Sequence, residues 1–116
     1  MRRVVVTGLG CVSPVGNSVD ETWASIKAGK SGVATITHYD NTNFKVKYAA
    51  EVKDFDASKY MDSSAARKMA RYTKYAVAAS KMALEDANLI DNKEVLENTA
   101  VYLGGGSYRI FNESLF

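Results

Sequence analysis

The strongest periodic pattern in the sequence is an apolar stripe in its second half. Its members recur at steps of three and four residues: Met69, Tyr72, Ala76, Ala79, Ala83 and Ala87. This spacing places them on one helix face and predicts a helix over residues 64–88 that stops at Asn88. Because most members are alanine, the helix axis can approach a neighbouring sheet closely.

The N-terminal pattern predicts the opening of an α/β unit. Residues 4–7 form a short β-branched run, typical of a strand that is covered on both faces. A glycine-rich turn follows over residues 8–16. Ser18 and Glu21 then have the spacing of a capping box, which predicts a helix that starts there and ends at Gly29. Strand, turn and capped helix in this order indicate the α/β class.

The remaining segments carry weaker signals. Residues 30–44 lack periodicity and predict a long surface loop, whereas residues 45–52 alternate loosely and predict an extended strand. Residues 91–98 are polar and favour one short helical turn. Residues 99–103 form a second buried-type strand pattern that ends at glycines 104–106. Nothing in the pattern indicates an internal domain boundary.

Composition narrows the class of protein. The 116 residues are 47% hydrophobic and 24% charged, with a net charge of +2, which is typical of a globular chain and gives no reason to expect nucleic-acid binding. No apolar run reaches the roughly 7–15 residues of a signal peptide or the about 18 of a membrane span. We therefore expect neither a membrane nor a nucleic acid as partner, and the cytoplasm as the location.

The first glycine turn raises the alternative of a dinucleotide-binding site. A strand pattern leads into Gly8 and Gly10, but Ser13 stands where the third glycine of that fingerprint belongs. Pro14 and Gly16 also disrupt the position at which a helix N-terminus would face a pyrophosphate. A tight turn and close packing explain these glycines better, so no cofactor is expected.

Cys11 and His38 are the only thiol and the only imidazole in the chain. A catalytic thiol needs a base or a helix N-terminus to lower its pKa, and nothing in the pattern places His38 beside Cys11. We interpret Cys11 as a packing residue and His38 as a loop residue. The sequence predicts no catalytic residue, and with no further histidine or cysteine it supports no metal site.

Four basic residues are concentrated near the start of the predicted long helix: Arg67, Lys68, Arg71 and Lys74. Steps of three and four residues predict that Arg67, Arg71 and Lys74 share one face, with Lys68 beside them. Positive charge at a helix N-terminus opposes the helix dipole. The pattern is therefore compatible with an anionic partner, and equally with a solvated surface.

Several blocks, taken together and in order, closely resemble the N-terminal part of the β-ketoacyl-acyl-carrier-protein synthase II family. They are RRVVVTGLG at 2–10, SPVGN at 13–17, ETW at 21–23, AGKSGV at 28–33, AEVKDFD at 50–56, RKM at 67–69, YA at 75–76 and ALEDA at 83–87. The match covers residues 2 to about 106. Residues 107–116 depart from the family pattern, and Ser107 replaces an isoleucine that helps to line the family's acyl pocket.

The resemblance implies the N-terminal part of a thiolase-like fold, with residues 1–116 as an incomplete first half of the stacked α/β/α/β/α architecture. It implies a decarboxylative Claisen condensation between acyl and malonyl thioesters of acyl carrier protein, in fatty acid elongation by a homodimeric parent. The family's nucleophilic cysteine and its two histidines belong to later parts of the fold. We therefore expect the isolated chain to be inactive.

The resemblance also gives the basic residues a role. Arg67 and Lys68 stand at positions that present positive charge to the acidic carrier protein, whereas Ser64 stands at a third position that is often basic in the family. Weaker docking is expected for that reason. The alternative is a non-catalytic module that binds carrier protein through Arg67, Lys68, Arg71 and Lys74.

Overall fold

The computed structural model describes residues 1–105. Within this range the chain forms four α-helices, one short 3-10 helix and one sheet of two strands. In chain order they are α1 (Val19–Lys27), β1 (Val33–Thr35), β2 (Tyr48–Ala50), the 3-10 helix (Ala57–Lys59), α2 (Ser63–Lys68), α3 (Arg71–Asp86) and α4 (Lys93–Glu97).

Helix α1 begins at the predicted cap. The Ser18 hydroxyl accepts a hydrogen bond from the Glu21 amide at 3.2 Å, and the Glu21 carboxylate accepts one from the Asn17 amide at 2.8 Å. The carboxylate thus reaches one residue further back than in a standard capping box. Gly29, with φ +65°, follows the helix end as predicted. The two largest apolar side chains of α1 remain exposed, Trp23 at 57% and Ile26 at 56%.

The two strands form an antiparallel hairpin in which Val33 faces Ala50 and Thr35 faces Tyr48. The predicted strand over residues 45–52 is confirmed in its central part only. The prediction of a loop throughout residues 30–44 is wrong, because β1 lies inside it. A strand of three residues is too short to show alternation, and its conformation is set by pairing with β2 rather than by its own composition.

The predicted strands over residues 4–7 and 99–103 are wrong for this structure. Neither segment pairs with another strand in the part of the chain that the structure describes. Their side chains are exposed, with Val4 at 94% and Tyr102 at 93%. A strand pattern covered on both faces becomes a strand only where neighbouring strands satisfy its backbone groups, and a local pattern cannot guarantee those neighbours.

The predicted continuous helix over residues 64–88 is also wrong, because it is two helices. Met69 and Ala70 are extended, with ψ of 139° and 156°, and separate α2 from α3. Methionine and alanine both favour helices, so local propensity gives no sign of the break. We attribute it to packing: α2 contacts the 3-10 helix and buries Ala66.

The predicted C-terminal stop of the long helix is confirmed. Asn88 adopts a left-handed φ of 56°, and its amide donates to the Glu85 carbonyl at 3.0 Å. The Leu89 amide donates to the Leu84 carbonyl at 2.9 Å. This pair of bonds is a Schellman motif, with asparagine in place of the usual glycine. The predicted turn over residues 91–98 is present as α4.

The first glycine turn packs directly on α3. A Cβ atom at Gly8 would overlap the backbone of Ala83 and Ala87, and one at Gly10 would overlap the Ala79 carbonyl. The Leu9 amide donates to the Asp86 carboxylate at 2.9 Å. The prediction that these glycines serve close packing is therefore confirmed, and the alanine stripe of α3 provides the surface.

Candidate functional site

The four basic residues, which we call the basic surface, lie on both sides of the helix break. Arg67 and Lys68 occupy the last turn of α2, whereas Arg71 and Lys74 lie in the first turn of α3. The prediction that they follow one continuous helical face is wrong, because the extended residues between Lys68 and Arg71 reset the helical phase. The surface is instead assembled from the end of one helix and the beginning of the next.

The break also changes the electrostatics of the basic surface. Arg67 and Lys68 lie at the C-terminus of α2, where the helix dipole favours positive charge. Arg71 and Lys74 lie at the N-terminus of α3, where the dipole opposes it. The first turn of α3 has no acidic residue, and its N-cap Ala70 supplies no side-chain hydrogen bond. Positive potential is thus concentrated where α3 begins.

The side chains of the basic surface are available to a partner. Arg67, Lys68 and Arg71 are exposed, and Lys74 is half-buried. The Arg67 Nε donates to the Ser63 carbonyl at 3.3 Å, which directs the guanidinium along α2. Within residues 1–105, none of the four forms a salt bridge with an acidic side chain. Their charges are therefore not neutralised by the described part of the fold.

Asp62 caps the helix that carries Arg67 and Lys68. Its carboxylate accepts hydrogen bonds from the Ser64 hydroxyl and from the Ser64 amide, the latter at 3.0 Å. These bonds, that of the hydroxyl foremost, hold the pKa of Asp62 below its usual value. Ser64 is exposed on α2 one turn before Lys68. The Ser64 hydroxyl is thus engaged by the cap.

An aromatic cluster braces the elements around the basic surface. Phe55 stacks on Tyr60, with ring centroids 6.0 Å apart, and meets the edge of Tyr75 at 5.0 Å. Tyr75 belongs to α3, while Phe55 and Tyr60 flank the 3-10 helix that contacts α2. Such pairs add roughly 0.5–1.5 kcal/mol beyond their buried area. The sequence analysis missed this cluster, because its members follow no helical or strand period and are brought together by the 3-10 helix and α3.

Cys11 and His38 make separate contacts. The Cys11 thiol donates to the Thr22 hydroxyl at 3.7 Å, and that hydroxyl also pairs with Ser13 Oγ at 2.9 Å. His38 Nε2 lies 3.7 Å from the Glu51 carboxylate at the end of the hairpin. The thiol therefore has no imidazole as hydrogen-bond partner. Residues 1–105 bring together no group of three side chains suited to a metal ion.

An apolar groove of about 500 Å³ runs along α3. The residues that line it include Ala76, Val77, Leu84, Ile90, Val101 and Leu103. Val101 and Leu103 border the groove, and both remain largely exposed. In the described range, no helix combines the length and the apolar character needed to cross a membrane.

Comparison with known proteins identifies the family of this chain. The model of the β-ketoacyl synthase N-terminal domain matches residues 1–114. The chain belongs to this family. A curated relative named 3-oxoacyl-[acyl-carrier-protein] synthase 2, from Vibrio cholerae serotype O1, is 47% identical over 105 residues. The relatives of the same name from Synechocystis and from Staphylococcus aureus (strain COL) are each 38% identical over 105 residues.

These relatives are much longer than this chain. The aligned region is 90% of this chain but 25% of each of these relatives, so the chain spans about a quarter of their length. The solved structure of the ishigamide ketosynthase/chain length factor is similar with a TM-score of 0.70 and 42% identity, over 76% of this chain and 22% of that one. The expected fold class, the N-terminal part of a thiolase-like fold, is confirmed.

Proposed function

We propose that the chain is the N-terminal segment of a 3-oxoacyl-[acyl-carrier-protein] synthase that elongates fatty acids. The reaction is the decarboxylative Claisen condensation of acyl and malonyl thioesters carried by acyl carrier protein. The single observation that carries this proposal is the 38–47% identity to synthases of that name over 90% of the chain. We also propose that the full-length synthase is cytoplasmic, as the sequence suggests, and homodimeric, as the resemblance implies.

The segment that we propose comprises residues 1–116, within the first half of the fold. Residues 107–116, which the sequence analysis expects to depart from the family pattern, lie outside the described residues. The family match runs to residue 114. Condensation requires a thiolate and groups that stabilise developing negative charge. Cys11 is hydrogen-bonded to Thr22 and His38 contacts Glu51. We therefore assign no catalytic residue to this segment.

The contribution that we propose for the segment is docking of the acidic carrier protein on the basic surface. Three of its four side chains are exposed, and none is neutralised by an acidic side chain within residues 1–105. Complementary charge steers encounter and fixes orientation more than it adds raw affinity. A non-catalytic carrier-protein-binding module would use the same four residues, since the basic surface and its bracing aromatics lie within residues 55–75.

Binding of holo-acyl carrier protein to the 116-residue chain at low ionic strength tests the docking role. The double change Arg67→Glu and Lys68→Glu should weaken binding by about tenfold or more, because two attractive charges become repulsive. The matched control is Lys45→Glu with Lys93→Glu, which makes the same change in net charge at two exposed lysines outside the basic surface. Equal losses from both pairs would contradict a localised dock.

A condensation assay tests whether the chain has catalytic activity of its own. The chain is incubated with acyl-acyl carrier protein and malonyl-acyl carrier protein, and β-ketoacyl product is measured. We expect none above background. Product formation would overturn the assignment of no catalytic residue. Carrier-protein binding that the Arg67 and Lys68 reversal abolishes would favour the module, and absence of binding at low salt would exclude it.

A further inference from the structure

Helix α2, which carries half of the basic surface, is too short to be stable by itself. It has six residues, whereas isolated helices shorter than about 12–15 residues are marginal in water. Within residues 1–105, three features stabilise α2: the buried Ala66, the contacts with the 3-10 helix and the cap at its N-terminus. The loss of any one of these supports should therefore change how often α2 is folded.

The cap is the support that a single side chain provides. The Asp62 carboxylate accepts hydrogen bonds from the Ser64 hydroxyl and from the Ser64 amide, the latter at 3.0 Å. The Asp62 carbonyl accepts one from the Ala66 amide at 2.9 Å. The carbonyl of the next residue, Ser63, accepts a hydrogen bond from Arg67 Nε at 3.3 Å. The first turn of α2 thus links the cap to the guanidinium at the helix end.

Asp62 has two opposite effects on an acidic partner. Its negative charge lies on the same short helix as Arg67 and Lys68, so by simple electrostatics it repels such a partner. Its hydrogen bonds, however, keep α2 folded and hold the two basic side chains beside the start of α3. These hydrogen bonds, that of the Ser64 hydroxyl foremost, lower the pKa of Asp62 and so favour the negatively charged form.

We infer that Asp62 is a positioning residue for carrier-protein docking, whose cap outweighs the repulsion of its charge. The inference rests on the proposed docking role of the basic surface. Asp62 need not contact the partner, since it acts by keeping Arg67 and Lys68 in place. A binding surface that is folded only part of the time loses apparent affinity in proportion to its folded fraction.

Two substitutions of equal charge separate capping from electrostatics. Asp62→Asn removes the charge and keeps a good N-cap, whereas Asp62→Ala removes the charge and the cap together. Binding of holo-acyl carrier protein to the 116-residue chain at low ionic strength is measured for both. We expect Asp62→Asn to bind at least as tightly as the wild type, and Asp62→Ala to bind about fivefold more weakly than Asp62→Asn.

Further variants exclude a general loss of structure. Asp62→Ser restores a capping oxygen without charge and should recover the affinity of Asp62→Asn. Asn92→Ala removes the equivalent cap of α4, where Asn92 accepts the Val95 amide at 3.2 Å, and should leave binding unchanged. In a chain that already carries Arg67→Ala and Lys68→Ala, the change from Asp62→Asn to Asp62→Ala should have no further effect, because the positioned side chains are gone.

The outcomes distinguish this inference from the docking proposal. If Asp62→Ala and Asp62→Asn bind equally while reversal of Arg67 and Lys68 abolishes binding, the positioning role is overturned and the dock stands. Tighter binding by Asp62→Ala than by the wild type would mean that charge alone matters, and would likewise overturn it. If the wild type does not bind, the docking proposal fails and the inference fails with it.

Discussion

Replacing Gly10 by alanine tests the contact on which the packing of the N-terminus depends. The added Cβ would overlap the Ala79 carbonyl and crowd the amide of Ala83. Both atoms belong to the backbone of α3, so no side-chain rotation can relieve the overlap. Overpacking of this kind costs about 1–3 kcal/mol, and the upper part of that range applies where the obstructing atoms are backbone.

The assay is urea unfolding of the 116-residue chain, followed by the helical circular dichroism signal. Two other glycines separate contact from conformation. Gly104 has no atom within 4 Å of an added Cβ, so its change to alanine should be neutral or slightly stabilising. Gly29 has equal space but a φ of +65°, so alanine there should cost about 1 kcal/mol. If Gly10→Ala is as stable as Gly104→Ala, the close approach is wrong.

Three further predictions concern association, the hairpin and the end of α3. Because large apolar side chains such as Val4, Val6 and Leu103 are 94%, 79% and 72% exposed, we expect the isolated chain to form oligomers in size-exclusion chromatography, and elution as a monomer at every concentration would contradict this. Burial raises the pKa of Glu51, but hydrogen bonds from Thr37 and His38 outweigh it and the pKa is lowered. The hairpin should therefore lose stability as the pH falls below about 4, measured from the Thr37 amide by NMR. The loss should be smaller in Glu51→Gln, where the part that remains comes from Asp40 in the hairpin loop, whose pKa the Thr42 hydroxyl and amide also lower. At Asn88, glycine should stabilise α3 and alanine should destabilise it by about 1 kcal/mol in urea unfolding, since φ is 56°; equal stability of the two variants would refute the left-handed cap.

The features that sequence predicted correctly are those fixed by neighbouring residues. The cap at Ser18, the stop at Asn88 and the short helix α4 depend on hydrogen bonds that span no more than a few residues. The alanine stripe also predicted close packing, although its partner is the turn at Gly8 and Gly10 rather than a paired strand. Local chemistry is sufficient for the cap, the stop and α4, whereas the packing of the stripe joins the N-terminal turn to the second half of the chain.

The failures depend on contacts between distant residues. Residues 4–7 and 99–103 have the composition of strands, yet a strand needs a partner that composition does not identify. Strand β1 forms because residues 33–35 meet residues 48–50. The break at Met69 and Ala70 follows from packing around α2, whereas the helical period alone runs straight through it. The four residues of the basic surface lie on two helices, which the sequence did not predict, and their binding role stays a prediction.

The contrast between local and distant contacts bears on the docking role that we propose for this chain. The basic surface is built by a cap within α2, by the start of α3 and by aromatic contacts among residues 55, 60 and 75. None of these requires residues 4–7 or 99–103, whose strand patterns remain unpaired in the described range. Substitutions in those two segments should therefore leave carrier-protein binding intact, whereas charge reversal at Arg67 and Lys68 should weaken it. The basic surface and the unpaired segments depend on different contacts.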